Sequence, residues 1–485
     1  MQGGDLLSLD PVPALLGRVR AELAADFSSR KPLGVSRAPG RLDVMGGIAD
    51  YTGSLVCEAT LNCAAAVALQ ARDDRDVQVF SFNLYDERQP FAFRIALDAL
   101  ADHSIDSLRS EFNQPGRRWA GYLAGCLAML HHRKRIDLKN PSLQGINLAL
   151  LSTVPLGAGV SSSAAIEVAA MINFMDHLNV RGNDPMVLAS LCQEVENQIV
   201  GAPCGIMDQV SSCAGQDGTL LRMICQPHEL LPPLDLPPGI RVIGINTNVK
   251  HSVSGGMYGK TRCAAFMGHR IILEKIREMG QAAGATLQSD PMRGYLANLD
   301  ADDYKRLFRP FLPEEMDGKS FLATFGATHD TVTRVEPEVV YHIVKAVDHH
   351  VLEARRVRNF VRHLETAAAL VVGSSQRKLA LDKAGHLMYA SHLSYTNDAL
   401  LGAPECDVLV QLVRDRESAG LYGAKITGGG SGGTVAVLAD QSPSADAALA
   451  EIMTSYEKQT GRKPQALLGS SPGAWTVGTV KVQSS

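Results

Sequence analysis

Four short segments of the chain combine polar side chains with glycine, and each has residue types that could do chemistry. They are APGRLDVMGGIADYTGSLV (38–56), VPLGAGVSSSAA (154–165), GAPCGIMDQ (201–209) and TGGGSGG (427–433). The first segment holds Arg41, Asp50 and Tyr51, a cation, an acid and a phenol, around an apolar Gly47–Ile48 pair. An apolar pair at the centre of a polar segment is unusual for a binding site.

The segment 154–165 has the composition of a phosphate-binding loop. Its glycines allow close backbone approach, and a helix predicted to begin at the serines would place partial positive charge there. The hydroxyls of Ser161, Ser162 and Ser163 can bind phosphate oxygen or Mg²⁺. It is not a Walker A loop, because Gly-Lys-Ser/Thr is absent. Taken alone, a serine-capped helix after a flexible turn explains it more simply.

The other two segments also have structural alternatives. Asp208 follows Ile206 and Met207, and an acid in an apolar loop is costly to bury unless it is paired. It is either a helix cap or a general base with a basic partner. TGGGSGG has the composition of a linker, but it lies between two apolar strands, which favours a tight turn against a ligand.

Strand and helix patterns alternate along the chain. Strands are predicted for GVSRAPGRLDVMG, LVCEATLNCAAAVALQAR, DVQVFSFN, GINLALLSTVP, GTLLRMIC, IRVIGINTNV and both flanks of TGGGSGG. Helices are predicted for RRWAGYLAGCLAMLHH, SSSAAIEVAAMINFMDHL, PMVLASLCQEVENQIVG and most of 260–400. The order indicates an α+β protein with two lobes and a cleft between them. We place the lobes at 1–235 and 236–485, joined near the Pro-rich LLPPLDLPPGI, with an irregular and mobile excursion around 280–335.

Composition excludes several classes of function. The 485 residues are 45% hydrophobic and 20% charged, with a net charge of −4, as in an ordinary globular protein. No basic stripe indicates nucleic acid, and no segment indicates a membrane partner or a signal peptide. The nine Cys form no CxxC pair, which favours free thiols in a reducing cytoplasm. The sequence sets no oligomeric state.

Together the segments resemble the galacto-, homoserine, mevalonate and phosphomevalonate (GHMP) kinase superfamily, in its galactokinase branch. The motif order is the same over nearly the whole chain except 280–335. The resemblance implies an N-terminal lobe like domain 2 of ribosomal protein S5 and a ferredoxin-like, galactokinase-type C-terminal lobe. It implies a sugar 1-kinase that uses ATP and Mg²⁺ and has a small-molecule sugar as its partner.

The resemblance also implies roles for individual residues. Asp208 matches the catalytic Asp that takes the proton of the anomeric hydroxyl, and Arg41 the Arg that stabilises it. Ser163 and Glu196 match the Mg²⁺ ligands. The residues at the sugar-binding positions of the family are Asp50, Gly47, Ile48, Gly205 and Tyr258. The residues at the nucleotide-binding positions of the family are Gly157, Ala158, Gly159, Val160, Ser161, Ser162, Ser163, Trp119 on the adenine-side helix, and Gly429 and Gly430 of the third motif.

One departure bears on the sugar. Galactokinases usually read GEHTDY where this chain reads Gly-Gly-Ile-Ala-Asp-Tyr, so Gly47 and Ile48 replace a Glu and a His that hold the C6 hydroxymethyl group. Asp43 replaces an Asn. L-Arabinopyranose has the ring configuration of D-galactopyranose with a plain CH₂ in place of CH₂OH. Polar groups aimed at a missing hydroxyl would cost roughly 1–3 kcal/mol each, whereas Ile48 fits a CH₂ and crowds a hydroxymethyl arm.

The segment resembles the kinase domain of plant-type L-arabinokinases more than it resembles galactokinase. We therefore predict an L-arabinose 1-kinase. The alternatives are a D-galactokinase that binds the 6-hydroxyl through other residues, a kinase for a deoxyhexose or a uronate, and a non-catalytic sugar and ATP sensor. A uronate would require a cation near C6, which Ile48 does not supply.

Overall fold

The computed structural model describes residues 10–249, 256–284, 286 and 288–483. The strands in chain order are β1 (Leu33–Met45), β2 (Leu55–Ala71), β3 (Asp76–Ser81), β4 (Ala92–Ala96), β5 (Ile146–Ser152), β6 (Thr219–Ile224), β7 (Glu229–Asp235), β8 (Ile240–Asn246), β9 (Met316–Asp317), β10 (Val340–Tyr341), β11 (Leu421–Ile426), β12 (Thr434–Asp440), β13 (Gln465–Leu467) and β14 (Thr479–Val482).

The helices in chain order are α1 (Val12–Glu22), α2 (Phe82–Asp86), α3 (Leu97–Asp102), α4 (Ile105–Phe112), α5 (Arg118–His132), α6 (Ser162–His177), α7 (Pro185–Glu194), α8 (Met207–Ala214), α9 (Met257–Ala282), α10 (Ala301–Asp303), α11 (Gly318–Phe325), α12 (Ile343–Ala369), α13 (Ser375–Asn397), α14 (Pro404–Arg414), α15 (Pro443–Thr460) and α16 (Ala474–Val477). Short 3₁₀ and π turns add to these, and two of them carry candidate site residues: the 3₁₀ helix Gly47–Thr52 and the π-helical turn Val195–Val200.

The larger sheet has eight strands and is centred on the long strand β2. β1 pairs antiparallel along most of β2, while β6 and β5 share its other edge, β6 at Leu55–Glu58 and β5 at Ala65–Ala71. β3 lies parallel to β5, and β14 pairs with the outer edge of β1. The apolar strands of this sheet pack against α5 and α6 in one large core. This packing holds β1 and α6 next to each other.

The smaller sheet has the order β11-β12-β8-β13, and every pairing in it is antiparallel. Its apolar residues form a second core with α9, α12 and α14. The loop between β11 and β12 is TGGGSGG, so the predicted strand, Gly loop and strand are confirmed. The mixed α and β content with two antiparallel-rich sheets confirms the predicted α+β class.

The Pro-rich junction contains a strand that the sequence pattern did not predict. Glu229–Asp235 forms β7 and pairs with β6 at the edge of the larger sheet. Proline is tolerated there because an edge strand has backbone N–H groups that need no partner in the sheet. The chain then enters the smaller sheet at β8. The lobe division at 235 stays a prediction, and β14 near the other end of the chain belongs to the larger sheet.

The described part of the segment 280–335 contains short helices and turns and the strand β9 rather than one long element. In its described part, Met292, Leu296 and Tyr304 are buried in the second core. Asp330, near its end, forms a buried ion pair with Arg262 of α9. The excursion stays a prediction, and these contacts tie its described part to α9 and α12.

Candidate active site

A cavity of about 700 Å³ opens where β1, the starts of α6 and α8, and the β11–β12 loop meet. Most of the predicted site residues line it. They are Arg41, Ile48, Asp50, Gly157, Gly159, Val160, Ser161, Ser162, Ser163, Glu196, Gly205, Asp208, Tyr258 and Gly429. Residues from five separate segments of the sequence therefore share one cavity.

Arg41 and Asp208 form an ion pair in this cavity. Arg41 Nε and Nη2 both donate to Asp208 Oδ1, at 3.0 and 2.7 Å, and Nη1 donates to the carbonyl of Gly159 at 2.8 Å. Burial alone would lower the pKa of Arg41, but the carboxylates of Asp208 and Glu58 outweigh it and raise that pKa. The guanidinium thus stays charged, and the basic partner that an acid in this loop requires is present.

Glu58 is a site residue that the sequence reasoning missed. The antiparallel register of β1 and β2 places it opposite Asp43, and one of its carboxylate oxygens lies 3.3 Å from Arg41 Nε. Burial and the charge of Asp43 raise the pKa of Glu58 well above its ordinary value. The available signal was a single acid in the apolar strand LVCEATL, which predicts a buried and partnered carboxylate.

The serine loop has the backbone geometry of an anion cradle. Gly157, Gly159 and Ser161 adopt positive φ of 69, 71 and 59°, and α6 starts directly after them. The buried Ser161 hydroxyl has no hydrogen-bond partner among the described residues. A free hydroxyl beside a helix N-terminus suits a phosphate oxygen.

The two Gly-rich loops touch through their backbones. A Cβ on Gly433 would lie 2.4 Å from the carbonyl of Ala158, and a Cβ on Gly428 would lie 2.7 Å from the carbonyl of Gly159. Thr434 Oγ1 also donates to the carbonyl of Ala158 at 2.9 Å. Glycine is required here because the loops approach too closely for side chains. TGGGSGG is therefore packed against the serine loop, and its Gly429 lines the cavity.

Glu196 and Ser163, the predicted Mg²⁺ ligands, lie together. Glu196 is in the π-helical turn after α7, where its carboxylate is in hydrogen-bond contact with Ser163 and accepts from Gln209 Nε2 at 2.8 Å. Burial and the charge of Asp208 raise the pKa of Glu196 to about 7. A buried acid repelled by a second, partly exposed one suits a bound cation, and Mg²⁺ typically takes one or two carboxylates plus phosphate oxygens.

Asp50, Gly205, Ile48 and Tyr258 form the end of the cavity away from the serine loop. A Cβ on Gly205 would lie 1.4 Å from Asp50 Oδ2, so the carboxylate fits only against glycine. Burial and the charge of Asp208 raise the pKa of Asp50 to about 7. The backbone N–H of Tyr51, which donates to Asp50 at 2.6 Å, acts in the opposite direction and lowers that pKa. Ile48 supplies an apolar surface beside this acid.

Four predicted residues do not line the cavity. Gly47 lies behind Ile48, Ala158 turns its carbonyl to Thr434, and Gly430 packs against Leu401. The indole N–H of Trp119 donates to the carbonyl of Gly116 at 3.0 Å, outside the cavity. A role of Trp119 at the adenine stays a prediction.

Arg118 and Tyr122 of α5 line the cavity instead and were missed. Helical spacing predicted α5 but did not show which of its faces meets the serine loop. The predicted sugar-side segment NVKHSVSGGMY falls partly on 250–255, which lie outside the described residues, although its Tyr258 lines the cavity.

The nine cysteines all lie within the described residues and are free, as predicted. Eight are buried, and Cys204 is partly exposed in the loop before α8. Across the residues that the structure describes, no helix combines the length and the apolarity needed to cross a bilayer.

The cavity can hold a polyphosphate at the serine loop and a small polyol between Ile48 and Asp50. Asp208 lies between these two places, where it can take a proton from a hydroxyl. Arg41 contacts both Asp208 and the serine loop, so it can stabilise charge on a transferred group. This arrangement is suited to phosphoryl transfer onto a small alcohol.

Comparison with known proteins gives a consistent result. Family models of the GHMP kinase N-terminal domain and the GHMP kinase C-terminal domain match 122–216 and 376–458, and a galactokinase galactose-binding signature matches 21–71. An L-arabinokinase of Arabidopsis thaliana is 35% identical over 96% of this chain, which spans 48% of that relative's length. A galactokinase of Chloroflexus aggregans is 29% identical over 91% of this chain and 93% of its own.

The fold is also that of a solved structure. A galactokinase of Lactococcus lactis, solved with galactose, has a TM-score of 0.70 at 20% identity, over 98% of this chain and all of its own. At that identity the likeness establishes the fold alone. The domain models, the relatives and the fold agree with the order of the motifs: this chain contains the N-terminal and C-terminal domains of GHMP kinases together with a galactokinase galactose-binding signature.

Proposed function

We propose that the protein transfers the γ-phosphoryl group of ATP to the anomeric hydroxyl of L-arabinose, giving L-arabinose 1-phosphate and ADP. The observation that carries the proposal is the Arg41–Asp208 pair between the serine loop and the Ile48–Asp50 end of one cavity. The L-arabinokinase of Arabidopsis thaliana among the relatives supports the choice of sugar. All of the acidic, basic and hydroxyl groups that the chemistry needs are present, which argues against a sensor without activity.

Each residue has a defined part in the transfer. The Asp208 carboxylate takes the proton of the anomeric hydroxyl. The anomeric oxygen attacks the γ-phosphorus, and the bond between that phosphorus and the ADP oxygen breaks. A positioned base of this kind contributes ~10²–10⁴-fold. The serine loop holds the phosphates, and Arg41 stabilises the charge on the transferred group. Asp50 accepts hydrogen bonds from ring hydroxyls, with Gly205 giving it room.

We also infer that Ser163 and Glu196 hold Mg²⁺ together with phosphate oxygens. The raised pKa of Glu196 supports this, because a cation would offset the repulsion between Glu196 and Asp208. Mg²⁺ held there would neutralise negative charge on the phosphates. Free thiols fit a cytoplasmic location, which we retain as part of the proposal.

D-Galactose is the second candidate substrate, because the galactokinase galactose-binding signature covers 21–71, where Asp50 lies. The apolar Ile48 surface favours the pentose, since it offers no partner for a 6-hydroxyl.

A sugar panel tests both candidates. Initial rates of ADP release are measured with L-arabinose, D-galactose, L-fucose and D-glucuronate. We expect the highest kcat/KM with L-arabinose. A higher kcat/KM with D-galactose contradicts the proposed sugar, and ADP release that does not depend on any sugar contradicts a sugar kinase.

A further inference from the structure

Tyr395 of α13 connects the sugar side of the cavity to the loop between β11 and β12. Its hydroxyl accepts a hydrogen bond from the backbone N–H of Ile48 at 3.0 Å and donates one to the carbonyl of Gly428 at 2.8 Å. The side chain is completely buried. One hydroxyl thus fixes the backbone of the residue that faces the sugar and the backbone of the loop that faces Arg41.

The same hydroxyl occupies the space of a side chain at position 47. A Cβ built on Gly47 would lie 1.7 Å from Tyr395 Oη and 2.9 Å from its Cζ. The φ of Gly47 is 47°, in the left-handed region that favours glycine. A side chain at 47 and the ring of Tyr395 in this position therefore exclude each other.

Buried charges hold both partners in place. Lys425, fully buried on β11, pairs with Asp43 Oδ2 and lies 5.1 Å from the centre of the Tyr395 ring. Asp43 Oδ1 accepts the backbone N–H of Gly47 at 2.9 Å. Asp43 also blocks position 47, because its Oδ2 lies 2.8 Å from the built Cβ. The His349 ring packs against Tyr395 in a T-shaped contact, with 5.1 Å between the ring centres.

Tyr395 remains a hydrogen-bond donor in this environment. Burial and the charge of Asp43 raise the pKa of its phenol well above the ordinary value. The hydroxyl therefore keeps the proton that it gives to Gly428 at neutral pH.

We propose that Tyr395 is a positioning residue of the sugar site, and that its hydroxyl both holds Ile48 against the sugar and excludes any side chain at 47. It is distant in sequence from the sugar-side turn, yet it determines that this turn presents an apolar surface. The consequence is a preference for a pyranose without a polar substituent at that point. This inference rests on the proposed function for the identity of the sugar.

It follows that a change at position 47 alone cannot introduce recognition of a hydroxymethyl group. The new side chain would meet the Tyr395 hydroxyl first. A change at 47 becomes tolerable only when Tyr395 is also made smaller, so the two positions must be substituted together.

The first experiment removes only the hydroxyl, with Tyr395→Phe. We expect the KM for the sugar to rise about tenfold, while the KM for ATP changes less than threefold, because Ile48 loses its anchor. Tyr389→Phe is the matched control, since Tyr389 lies on the same helix but beside Glu417 and Arg414, and it should leave both constants unchanged. Equal changes in the two KM values of Tyr395→Phe, or none, would overturn the proposal.

The second experiment measures coupling between the two positions. Gly47→Ala is introduced into the native chain and into Tyr395→Leu. We expect it to lower kcat/KM at least 100-fold in the native chain and less than tenfold beside Leu, where the 1.7 Å contact is gone. The same loss in both backgrounds would overturn the proposal. If Tyr395→Leu gives no cooperative thermal transition, the Tyr395→Phe background replaces it. In that background the loss of kcat/KM caused by Gly47→Ala should still be at least threefold smaller than in the native chain.

Both experiments use whichever of L-arabinose and D-galactose the native chain phosphorylates faster. A preference for D-galactose contradicts the proposed sugar but leaves the coupling measurable. An absence of coupling contradicts the role of Tyr395 whatever the sugar. The two failures are therefore distinguishable.

Discussion

Arg41 places both of its hydrogen bonds to Asp208 on a single oxygen, Oδ1, from Nε at 3.0 Å and from Nη2 at 2.7 Å. Within the described residues, no hydrogen bond reaches Oδ2. The guanidinium thus orients the carboxylate and leaves one oxygen directed to the cavity. This arrangement suits a general base, because the guanidinium orients the carboxyl group and leaves one oxygen with a lone pair for the substrate proton.

The first prediction concerns this free oxygen. Asp208→Asn keeps the shape of the side chain but removes its basicity, so we expect kcat to fall by ~10²–10⁴-fold. Binding of ATP should change little, since the serine loop is untouched. Steady-state kinetics and nucleotide titration measure the two effects. The exposed Asp217, just beyond α8, provides the control Asp217→Asn, and comparable kcat values for the two variants would exclude Asp208 as the base.

The second prediction concerns the effect of Asp50 on stability at different pH values. Its pKa in the folded protein is about 7, whereas an unfolded Asp has a pKa of about 3.9. Between these values the folded protein keeps a proton that the unfolded chain has lost, so this group makes the free energy of unfolding fall as pH rises. The penalty is complete above pH ~7 and absent below pH ~4.

Asp50→Asn should remove that penalty. We expect it to raise the free energy of unfolding by about 1–3 kcal/mol at pH 8 and to change it little at pH 4. Urea denaturation at both pH values is the measurement, with the exposed Asp235→Asn on β7 as the control. An equal increase in the free energy of unfolding at both pH values would show that the pKa of Asp50 is not raised in the folded protein.

The third prediction tests the close packing of Gly205 and Asp50. Gly205→Ala would bring a methyl group to 1.4 Å from Asp50 Oδ2, so the carboxylate must move. We expect the KM for the sugar to rise at least 30-fold, a loss of about 2 kcal/mol of binding free energy. Gly17→Ala on α1 is the control, since nothing lies within 4 Å of a Cβ there. An unchanged KM for Gly205→Ala would remove Asp50 from sugar recognition.

The fourth prediction concerns the ion pair that attaches the segment 280–335. Arg262 donates to Asp330 from Nε at 2.9 Å and from Nη2 at 2.8 Å, and both side chains are more than nine-tenths buried. Asp330→Ala would leave a buried cation without its partner, which typically costs about 3–5 kcal/mol of unfolding free energy.

Asp303→Ala is the control in the same segment. Asp303 pairs with Arg306 at the surface, where such a pair contributes about 0–1 kcal/mol. Urea denaturation of the two variants should therefore give clearly different midpoints. If the midpoints coincide, the ion pair does not anchor the segment.

Much of the site was readable from the sequence because its chemistry is local. The serine loop, the acid of GAPCGIMDQ and the glycines of TGGGSGG each need particular residues next to one another in the chain, and their order identified the family. The strands and helices that carry them follow from local periodicity. Short strands such as β4, β9, β10 and β13 were not predicted, and neither was β7, because two prolines on an edge strand look like a loop in sequence.

The remaining features depend on packing between segments that are distant in the chain. Glu58 joins the site because the register of β1 and β2 brings it opposite Asp43. Arg118 and Tyr122 line the cavity because α5 turns that face to the serine loop, whereas the neighbouring Trp119 faces away. Helical spacing predicts that faces exist, but it does not determine which face meets a given loop.

The difference between what the sequence determines and what the tertiary structure determines is clearest at Gly47. The sequence determined that this position has no side chain and that Ile48 beside it is apolar, which was enough to suggest a pentose. Only the tertiary structure decided why the side chain is absent. Ile48 and Tyr395 are 347 positions apart, and their contact exists because the packing of α13 brings a phenol into the volume of the missing side chain. No local pattern encodes such a contact, because it depends on the shape of the whole core.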